Sequence, residues 1–269
     1  MSVAIGDVEI ALRDGWIRAA SAGLRDEDRK KARELSALLE EMRRALPSRR
    51  ERVVVDAAAG KGYAGVLAAR LLGATRVIAI EREAARARAI EEAAGALGAQ
   101  GLQAIAADVA DERVWPHAPA LVVALHACGA ATDHALAQAA RVGARAVLVV
   151  PCCVASSLPS SRRAVERADA LGLPRDAAVR RPFVESLVLA ERVLALEAAG
   201  YRVETVAMVP SSVSPYGTLV RARRVGEPVR MHRAKERLET LLRNSKGECS
   251  RSELRTEVRG ARGREQRGA

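Results

Sequence analysis

The sequence predicts an α/β fold: a seven-stranded sheet, parallel except for a terminal antiparallel hairpin, with helices on both faces. Short apolar runs alternate with longer segments of helical periodicity through the middle of the chain, which is the pattern of strand–helix–strand units. These runs are apolar at successive positions, as expected for strands of a parallel sheet buried on both faces. The last two runs flank a short connection, PSSVSP, which suits a hairpin.

The first predicted element is a helix over residues 26–46, where leucines and a methionine recur at helical spacing in one apolar stripe. Acidic residues open this segment and basic residues close it before Pro47, as the helix dipole prefers. Strands are then predicted at 52–57, 76–81, 102–108, 120–125, 146–151, 201–209 and 216–224. Further helices are predicted at 64–72, 83–97, 132–142, 160–172, 184–199 and 229–243.

These elements predict three parts of the chain: an N-terminal helical lead at 1–50, a central domain at 51–224 and a basic, partly disordered tail at 225–269. No apolar run approaches the roughly 18 residues that a membrane-spanning helix needs. The start of the chain carries acids and lacks the pattern of a secretory signal. Four cysteines in 269 residues do not suggest a disulfide framework, so we expect a reducing, cytoplasmic location.

The net charge of +11 is concentrated at the C-terminus. Residues 221–269 hold 15 lysines and arginines against 7 glutamates, whereas the preceding 220 residues carry a net charge of only +3. Two interpretations of the tail stay open, affinity for RNA and solvated disorder. An aromatic content of 2% gives little material for a platform that stacks bases. If the tail binds RNA, truncation after Arg224 should weaken binding and flatten its salt dependence.

A candidate ligand loop joins the first predicted strand to the helix that follows. It contains Ala58, Gly60, Lys61 and Gly62, and glycines at such a turn let the backbone approach a ligand at the helix N-terminus. We expect no G-x-G-x-x-G match here, because we take the third glycine to be absent, and Ala58 stands where a D-x-G-x-G-x-G loop would have its first. The structural alternative is a tight strand-to-helix turn without a ligand.

Acidic residues end three consecutive predicted strands. Asp56 ends the first, Glu81 the second and Asp108 the third. Open α/β sheets bind ligands at the carboxyl ends of their strands, and a carboxylate at the end of the second strand can accept both hydroxyls of a ribose. Each acid alone is an ordinary strand-end residue, but three together indicate a nucleoside site.

The run from Val53 to Asp108 resembles the S-adenosylmethionine site of class I methyltransferases, and the terminal hairpin resembles their Rossmann-like sheet. The resemblance implies that S-adenosylmethionine is the cofactor and that Asp56 lies beside its methionine part. It also implies that the loop from Gly60 to Gly62 packs against the cofactor, that Glu81 binds the ribose and that Asp108 lies at the adenine amine.

A second motif, HACGAATD at 126–133, follows the fourth predicted strand, and the pair Cys152–Cys153 follows the fifth. Together they resemble the methyltransferase branch that contains the tRNA acceptor-stem 2′-O-methyltransferases. Those enzymes place histidines after the Cys-Cys pair and add Cys/His-rich metal modules, whereas Val154 and Ala155 follow here. The matching residues are His126, Cys128, Gly129, Thr132, Asp133, Cys152 and Cys153.

The candidate catalytic residues are His126, Cys128, Asp133, Cys152 and Cys153. His126 can accept a proton near neutral pH, and Asp133 either orients that histidine or, with Thr132, caps a helix. The thiols and the histidine are zinc ligands by type. We nevertheless predict no metal, because adjacent cysteines rarely both reach one ion and C-x-x-C loops are missing. Buried, reduced thiols that shape a pocket are the simpler interpretation.

These observations predict an S-adenosylmethionine-dependent methyltransferase whose acceptor is RNA, with tRNA and rRNA as the candidates. One alternative is an NAD-type oxidoreductase that uses the same glycine loop; the absence of a third glycine and the terminal hairpin argue against it. Another is a non-catalytic RNA-binding adaptor with the same fold, against which the retained acids Asp56, Glu81 and Asp108 argue.

Overall fold

The computed structural model describes residues 3–17, 23–48 and 52–243. Every predicted strand is present, with ends shifted by two residues at most. The strands are β1 (Val53–Ala57), β2 (Arg76–Glu81), β3 (Leu102–Ala106), β4 (Leu121–Leu125), β5 (Ala146–Val150), β6 (Tyr201–Ala207) and β7 (Thr218–Arg224).

The helices also follow the predicted order. They are α1 (Ile5–Leu12), α2 (Asp26–Ala45), α3 (Tyr63–Leu71), α4 (Ala84–Ala96), α5 (Ala130–Arg141), α6 (Pro159–Ala170), α7 (Arg180–Ala198) and α8 (Pro228–Arg243). A π-helical turn, Arg13–Ile17, extends α1. α1 and the π-helical turn were not predicted as elements. Among the predicted helices, the largest difference is the start of α7, four residues earlier than expected. Pro182 falls in its first turn, where a proline removes no helix hydrogen bond.

The seven strands form one sheet in the order β3-β2-β1-β4-β5-β7-β6. β1 to β5 are parallel, and β7 lies antiparallel between β5 and β6. The predicted fold class is therefore confirmed. The chain leaves β1 toward β2 on one side and returns to β4 on the other, so the carboxyl ends of β1 and β4 flank the crevice where such sheets bind ligands.

Both faces of the sheet are covered. On one face, α1, α2 and α3 pack in a single core with alternate strand residues such as Val54 and Val123. Four residues of the stripe predicted for α2 are fully buried there, and Leu46, just past the end of the helix, is half-buried; the four are Leu35, Leu38, Leu39 and Met42. On the other face, α5 and α7 cover Val122 and its neighbours.

The C-terminal helix α8 packs on α7. Ala234 is buried, and Arg230 forms an ion pair with Glu197 of α7 at 3.3 Å. The remainder of the predicted tail, 244–269, lies outside the described residues. Within the described residues, no helix combines the length and apolarity that crossing a membrane requires.

Candidate functional site

A cavity of about 500 Å³ opens at the carboxyl ends of β1, β2 and β4. Its volume is in the range of small-molecule sites, and it lies at the crevice where the strand order reverses. The structure brings together most of the site residues predicted from the sequence. Those that line the cavity are Asp56, Ala58, Gly60, Lys61, Glu81, Asp108, His126 and Cys128.

Glu81 closes the glycine loop with its own carboxylate. Its side chain is buried, and Oε2 accepts the N–H of Gly60 at 2.8 Å while Oε1 accepts the N–H of Glu83 at 3.0 Å. Each carboxylate oxygen keeps a further acceptor position for a ligand. Asp108 is exposed, and its Oδ1 accepts the N–H of Ala110 at 2.8 Å. The cavity is therefore bordered by a buried carboxylate with two hydrogen bonds, Glu81, and by an exposed carboxylate, Asp108.

Asp56 is a buried carboxyl group at the end of β1, with only 1% of its surface exposed. Its Oδ2 accepts the N–H of Gly65 at 2.8 Å. Burial raises the pKa of Asp56 to about 7; the Gly65 N–H opposes this shift, and the nearby Glu81 carboxylate adds to it. A site with two buried acids of this kind favours a ligand that carries positive charge.

The glycine loop has a third glycine, Gly65, which was missed in the sequence. Gly60, Gly62 and Gly65 have the complete G-x-G-x-x-G spacing. A Cβ on Gly65 would lie 3.1 Å from Oδ2 of Asp56, and a Cβ on Gly62 would lie 2.7 Å from the side chain of Ile90. Both are therefore needed for packing. The glycine pattern alone does not separate a methyltransferase from a dinucleotide oxidoreductase.

Ala58 adopts a conformation that glycine normally occupies. Its φ angle is +54°, in the left-handed region where a Cβ costs about 1–2 kcal/mol. This is the position at which a D-x-G-x-G-x-G loop would have its first glycine. The backbone of this chain thus keeps the shape of that loop despite the substitution.

His126 is oriented by Glu34, a partner that the sequence did not reveal. Nε2 of His126 lies 2.9 Å from Oε1 of Glu34, which α2 brings to the end of β4. Lys31, one turn before Glu34, also pairs with it. Burial disfavours the ionised form of Glu34, but the hydrogen bonds of His126 and Lys31 outweigh it and lower its pKa to about 2.

The backbone and the second ring nitrogen of His126 are also unusual. Its φ angle is +57°, a left-handed conformation that is costly for a side chain of this size. Nδ1 is buried and has no hydrogen-bond partner among the described residues. The ionised Glu34 carboxylate can only accept, so Nε2 is the donor in this hydrogen bond.

Asp133 pairs with α7 instead of His126. Its Oδ1 accepts a hydrogen bond from Nε of Arg192 at 2.6 Å, and Arg192 is only 5% exposed. The helix α5 begins at Ala130, its N-cap is Gly129, and no side chain caps it. Thr132 instead donates to the carbonyl of Ala127 inside the first turn. Neither role suggested for Asp133, orienting the histidine or capping the helix, is what the structure shows.

Three cysteines from two strand ends form one cluster. Sγ of Cys128 lies 2.9 Å from Sγ of Cys152, which is 3.7 Å from Sγ of Cys153. Burial raises the pKa of Cys152. Burial also disfavours the Cys153 thiolate, but hydrogen bonds from the Gly129 N–H and from the other two thiols, with the charge of Arg192, outweigh it and lower its pKa. His126 does not join this group of ligand atoms.

The N-terminal lead contributes to the site as well. The indole N–H of Trp16 donates to the carbonyl of Lys61 at 2.9 Å, and its ring lies 4.7 Å from that of Tyr63 between centroids. Trp16 thus braces the glycine loop from the π-helical turn. A tryptophan some 45 residues before the loop carried no signal of this contact in the sequence.

The order of the sheet and the acids around the glycine loop define a Rossmann-like fold of the class I methyltransferase type. Residues 29–157 match the model of a family described as "Methyltransferase domain". The predicted resemblance to class I methyltransferases is confirmed, and the matched part begins within α2 and ends after the Cys-Cys pair.

One curated relative is a "Glutathione S-transferase C-terminal domain-containing protein" from Xenopus laevis. It is 28% identical over 197 residues, which is 65% of this chain and 31% of that protein. The chain therefore spans about a third of the length of this relative.

Solved structures show weak likeness only. An rRNA methylase from Streptococcus thermophilus is 13% identical with a TM-score of 0.46, covering 76% of this chain and 99% of its own. Magnesium protoporphyrin IX methyltransferase from Synechocystis PCC 6803, with bound S-adenosylhomocysteine, is 13% identical with a TM-score of 0.46, covering 82% and 99%. Nothing about the activity of this chain follows from them.

Proposed function

We propose that this chain is an S-adenosylmethionine-dependent methyltransferase that acts on RNA. One observation carries the proposal: the acids that end β1, β2 and β3 meet the glycine loop in a single cavity. The methyltransferase family match over residues 29–157 supports the reaction class.

The two buried acids and the occupied N–H of the glycine loop favour S-adenosylmethionine over NAD, although basic residues line the same cavity. S-adenosylmethionine is cationic at its sulfonium and ammonium groups, and Asp56 and Glu81 are buried acids that such charges would stabilise. The diphosphate of NAD is anionic and binds free N–H groups at the loop. Here the N–H of Gly60 already donates to Glu81, so a diphosphate would have to displace a carboxylate.

Each strand-end acid then has one role in holding the cofactor. Glu81 would accept hydrogen bonds from the ribose hydroxyls, Asp108 would accept from the adenine amine, and Asp56 would face the methionine part. The cofactor, when bound, supplies a methyl group on a positively charged sulfur atom. The chain must also hold the acceptor in line with that group and keep water out.

We assign to His126 the role of taking a proton from the acceptor. It lines the cavity, but Nε2 is held by Glu34 and Nδ1 is buried without a partner among the described residues, so the ring would have to turn for a nitrogen to meet the acceptor. Proton transfer to the ring would make it positively charged, and the ionised Glu34 would stabilise that charge. Glu34 is in this proposal a positioning residue, and His126 a catalytic one.

The remaining candidates divide by position. Cys128 lines the cavity beside His126 and can contact an acceptor. Cys152 and Cys153 lie behind it in the cysteine cluster, and Asp133 is engaged with Arg192. We propose that Cys152, Cys153 and Asp133 support the part of the cavity where the acceptor would bind.

The cofactor proposal is tested by calorimetric titration with S-adenosylhomocysteine and, separately, with NADH. We expect micromolar binding of S-adenosylhomocysteine that E81A abolishes. E83A is the matched control, because Glu83 also lines the cavity but its side chain pairs with Arg86 at the surface; it should bind normally. Binding of NADH alone would overturn the proposal, and binding of neither ligand would favour the adaptor alternative.

The RNA acceptor rests on charge and on the resemblance of the His/Cys motifs. Lys61, Arg82 and Arg86 line the cavity, where they can attract phosphate groups, and the C-terminus is strongly basic. The test supplies the protein with S-adenosylmethionine labelled in the methyl group, together with total tRNA, rRNA or cell protein. Label in RNA that ribonuclease releases supports the proposal. Label confined to protein would show that the acceptor is a polypeptide.

A further inference from the structure

We propose that Cys128, Cys152 and Cys153 form a three-thiolate site for a zinc ion at the edge of the cavity. The three sulfur atoms all lie within 4.8 Å of one another. They come from the segments after β4 and β5, which are adjacent and parallel. This site is independent of the proposed cofactor, and its test does not require turnover.

One sulfur–sulfur separation matches the spacing that zinc imposes, and a second is shorter. A Zn–S bond of about 2.3 Å in a tetrahedral site places neighbouring sulfur atoms about 3.8 Å apart. The observed separations are 3.7 Å between Cys152 and Cys153 and 2.9 Å between Cys128 and Cys152. Cys128 is exposed, so a small rotation of its side chain can open the shorter distance.

The structure allows Cys152 and Cys153 to bind the same ion, although they are adjacent in the sequence. Two adjacent cysteines were not expected to reach one ion, and short C-x-x-C loops are missing from the sequence. Cys152 and Cys153 follow β5, which ends at Val150, and no regular element constrains them. Both sulfur atoms consequently lie on the side of Cys128.

The surroundings compensate the charge of such a site. A zinc ion with three thiolates carries one net negative charge. The Gly129 N–H donates to Cys153 and the Arg192 guanidinium acts on it electrostatically. Arg192 is 5% exposed, and its Nη2 is buried without a hydrogen-bond partner in the described part of the chain. A buried cationic nitrogen without a partner is costly. The negative charge of a thiolate cluster would offset that cost.

Ligand type selects the ion and leaves one position open. Thiolates favour zinc over calcium or magnesium, which prefer oxygen. Three protein ligands are the number found in zinc sites that keep a fourth position for water or another molecule. Each thiol that binds gives up its proton to solvent, so the ion adds no oxidation step and needs no further reactant.

The test is metal titration of the reduced full-length protein in a C249S background, which removes the thiol outside the described residues. Cobalt(II) should produce a thiolate-to-metal absorption band that saturates at one ion per chain, and one equivalent of zinc should abolish it. C128S, C152S and C153S should each weaken binding by at least about 100-fold, because removal of an outer-sphere partner alone costs about 10–100-fold. H134Q is the control, since His134 lines the cavity but supplies no ligand, and its titration should be unchanged.

A second measurement needs no ligand variant and therefore does not depend on how the serine variants fold. Zinc should protect all three thiols of the C249S protein from Ellman's reagent, and R192Q should weaken that protection by about 10–100-fold. Equal reaction with and without zinc would overturn the proposal. Retention of the cobalt band in C128S would overturn it too, as would formation of a Cys128–Cys152 disulfide in place of metal uptake under reducing conditions.

Discussion

Asp56 predicts an unusual dependence of stability on pH. Its pKa of about 7 in the folded protein lies above the value of about 3.9 for an exposed aspartate. Between these values the folded state binds more protons than the unfolded state, so stability should fall as the pH rises from about 4 to about 7. The loss is at most about 4 kcal/mol, since one pKa unit corresponds to about 1.4 kcal/mol.

Urea unfolding of the unliganded protein near pH 5 and near pH 8 measures this effect. D56N is the comparison, because its amide oxygen can still accept the Gly65 N–H but the group does not ionise. The slope of stability against pH should be clearly flatter in D56N. If both proteins show the same slope, other groups cause the dependence and Asp56 is ionised at neutral pH.

Glu34 predicts a catalytic effect without direct contact with the acceptor. E34Q removes the charge that holds and stabilises His126, so kcat should fall by about 100-fold while KM for S-adenosylmethionine stays nearly constant. Unchanged kcat in E34Q would remove the pair from the mechanism.

E41Q is the matched control for this experiment. Glu41 lies on the same helix and pairs with Arg44 and Arg221. It is not among the described residues that line the cavity. Its kcat should stay within about twofold of the original protein, since its ion pairs with Arg44 and Arg221 do not involve His126.

Which site residues the sequence could reveal depended on how local their signal was. Asp56, Glu81 and Asp108 end apolar runs, so their places at the edge of a parallel sheet followed from the pattern of the runs alone. Glu34 is 92 residues from His126, and nothing in the spacing of either residue links them. The one local indication was that Glu34 is next to Leu35, on the side of α2 that is buried.

The contact between α5 and α7 depends on a buried ion pair. Arg192 is 5% exposed and the side chain of Asp133 is 34% exposed, so removal of the carboxylate leaves a largely buried guanidinium without its partner. We expect D133A to lower the free energy of unfolding by about 2 kcal/mol, the range for hydrogen bonds to charged groups. Urea unfolding at neutral pH measures it.

E185A is the control for D133A, because it breaks an exposed pair on the same helix, between Arg181 and Glu185. Its effect should stay below about 0.5 kcal/mol, as for most surface ion pairs. If the two variants lose equal stability, the buried pair makes no special contribution, and the orientation of α7 rests on apolar packing alone.

Helices and strands were predictable because apolar periodicity is a local property. The stripe of α2 and the continuous apolar runs of the parallel strands each identified an element without knowledge of its neighbours. The sequence predicted the class of sheet, from the terminal hairpin, but not the order of its strands. The contacts of Trp16 with the glycine loop and of α8 with α7 were not, since packing partners far apart in the chain leave no periodic signal.

The packing of α8 changes how the basic tail must be tested. Truncation after Arg224, as the sequence suggested, would remove a helix that packs on α7 through Ala234 and Arg230, so a loss of RNA binding would have two explanations. Truncation after Arg243 leaves α8 in place. It removes 7 lysines and arginines and 4 glutamates.

For truncation after Arg243, affinity for a structured RNA should fall several-fold. The slope of log K against log salt should become shallower by roughly one to three units, because fewer phosphates are then neutralised by the protein. Binding of S-adenosylhomocysteine should not change, which controls for the integrity of the cavity. Unchanged affinity and slope would mean that this segment makes no contact with RNA. The basic groups around the cavity, Lys61, Arg82 and Arg86, would then have to hold the acceptor without it, and charge reversal there should abolish binding.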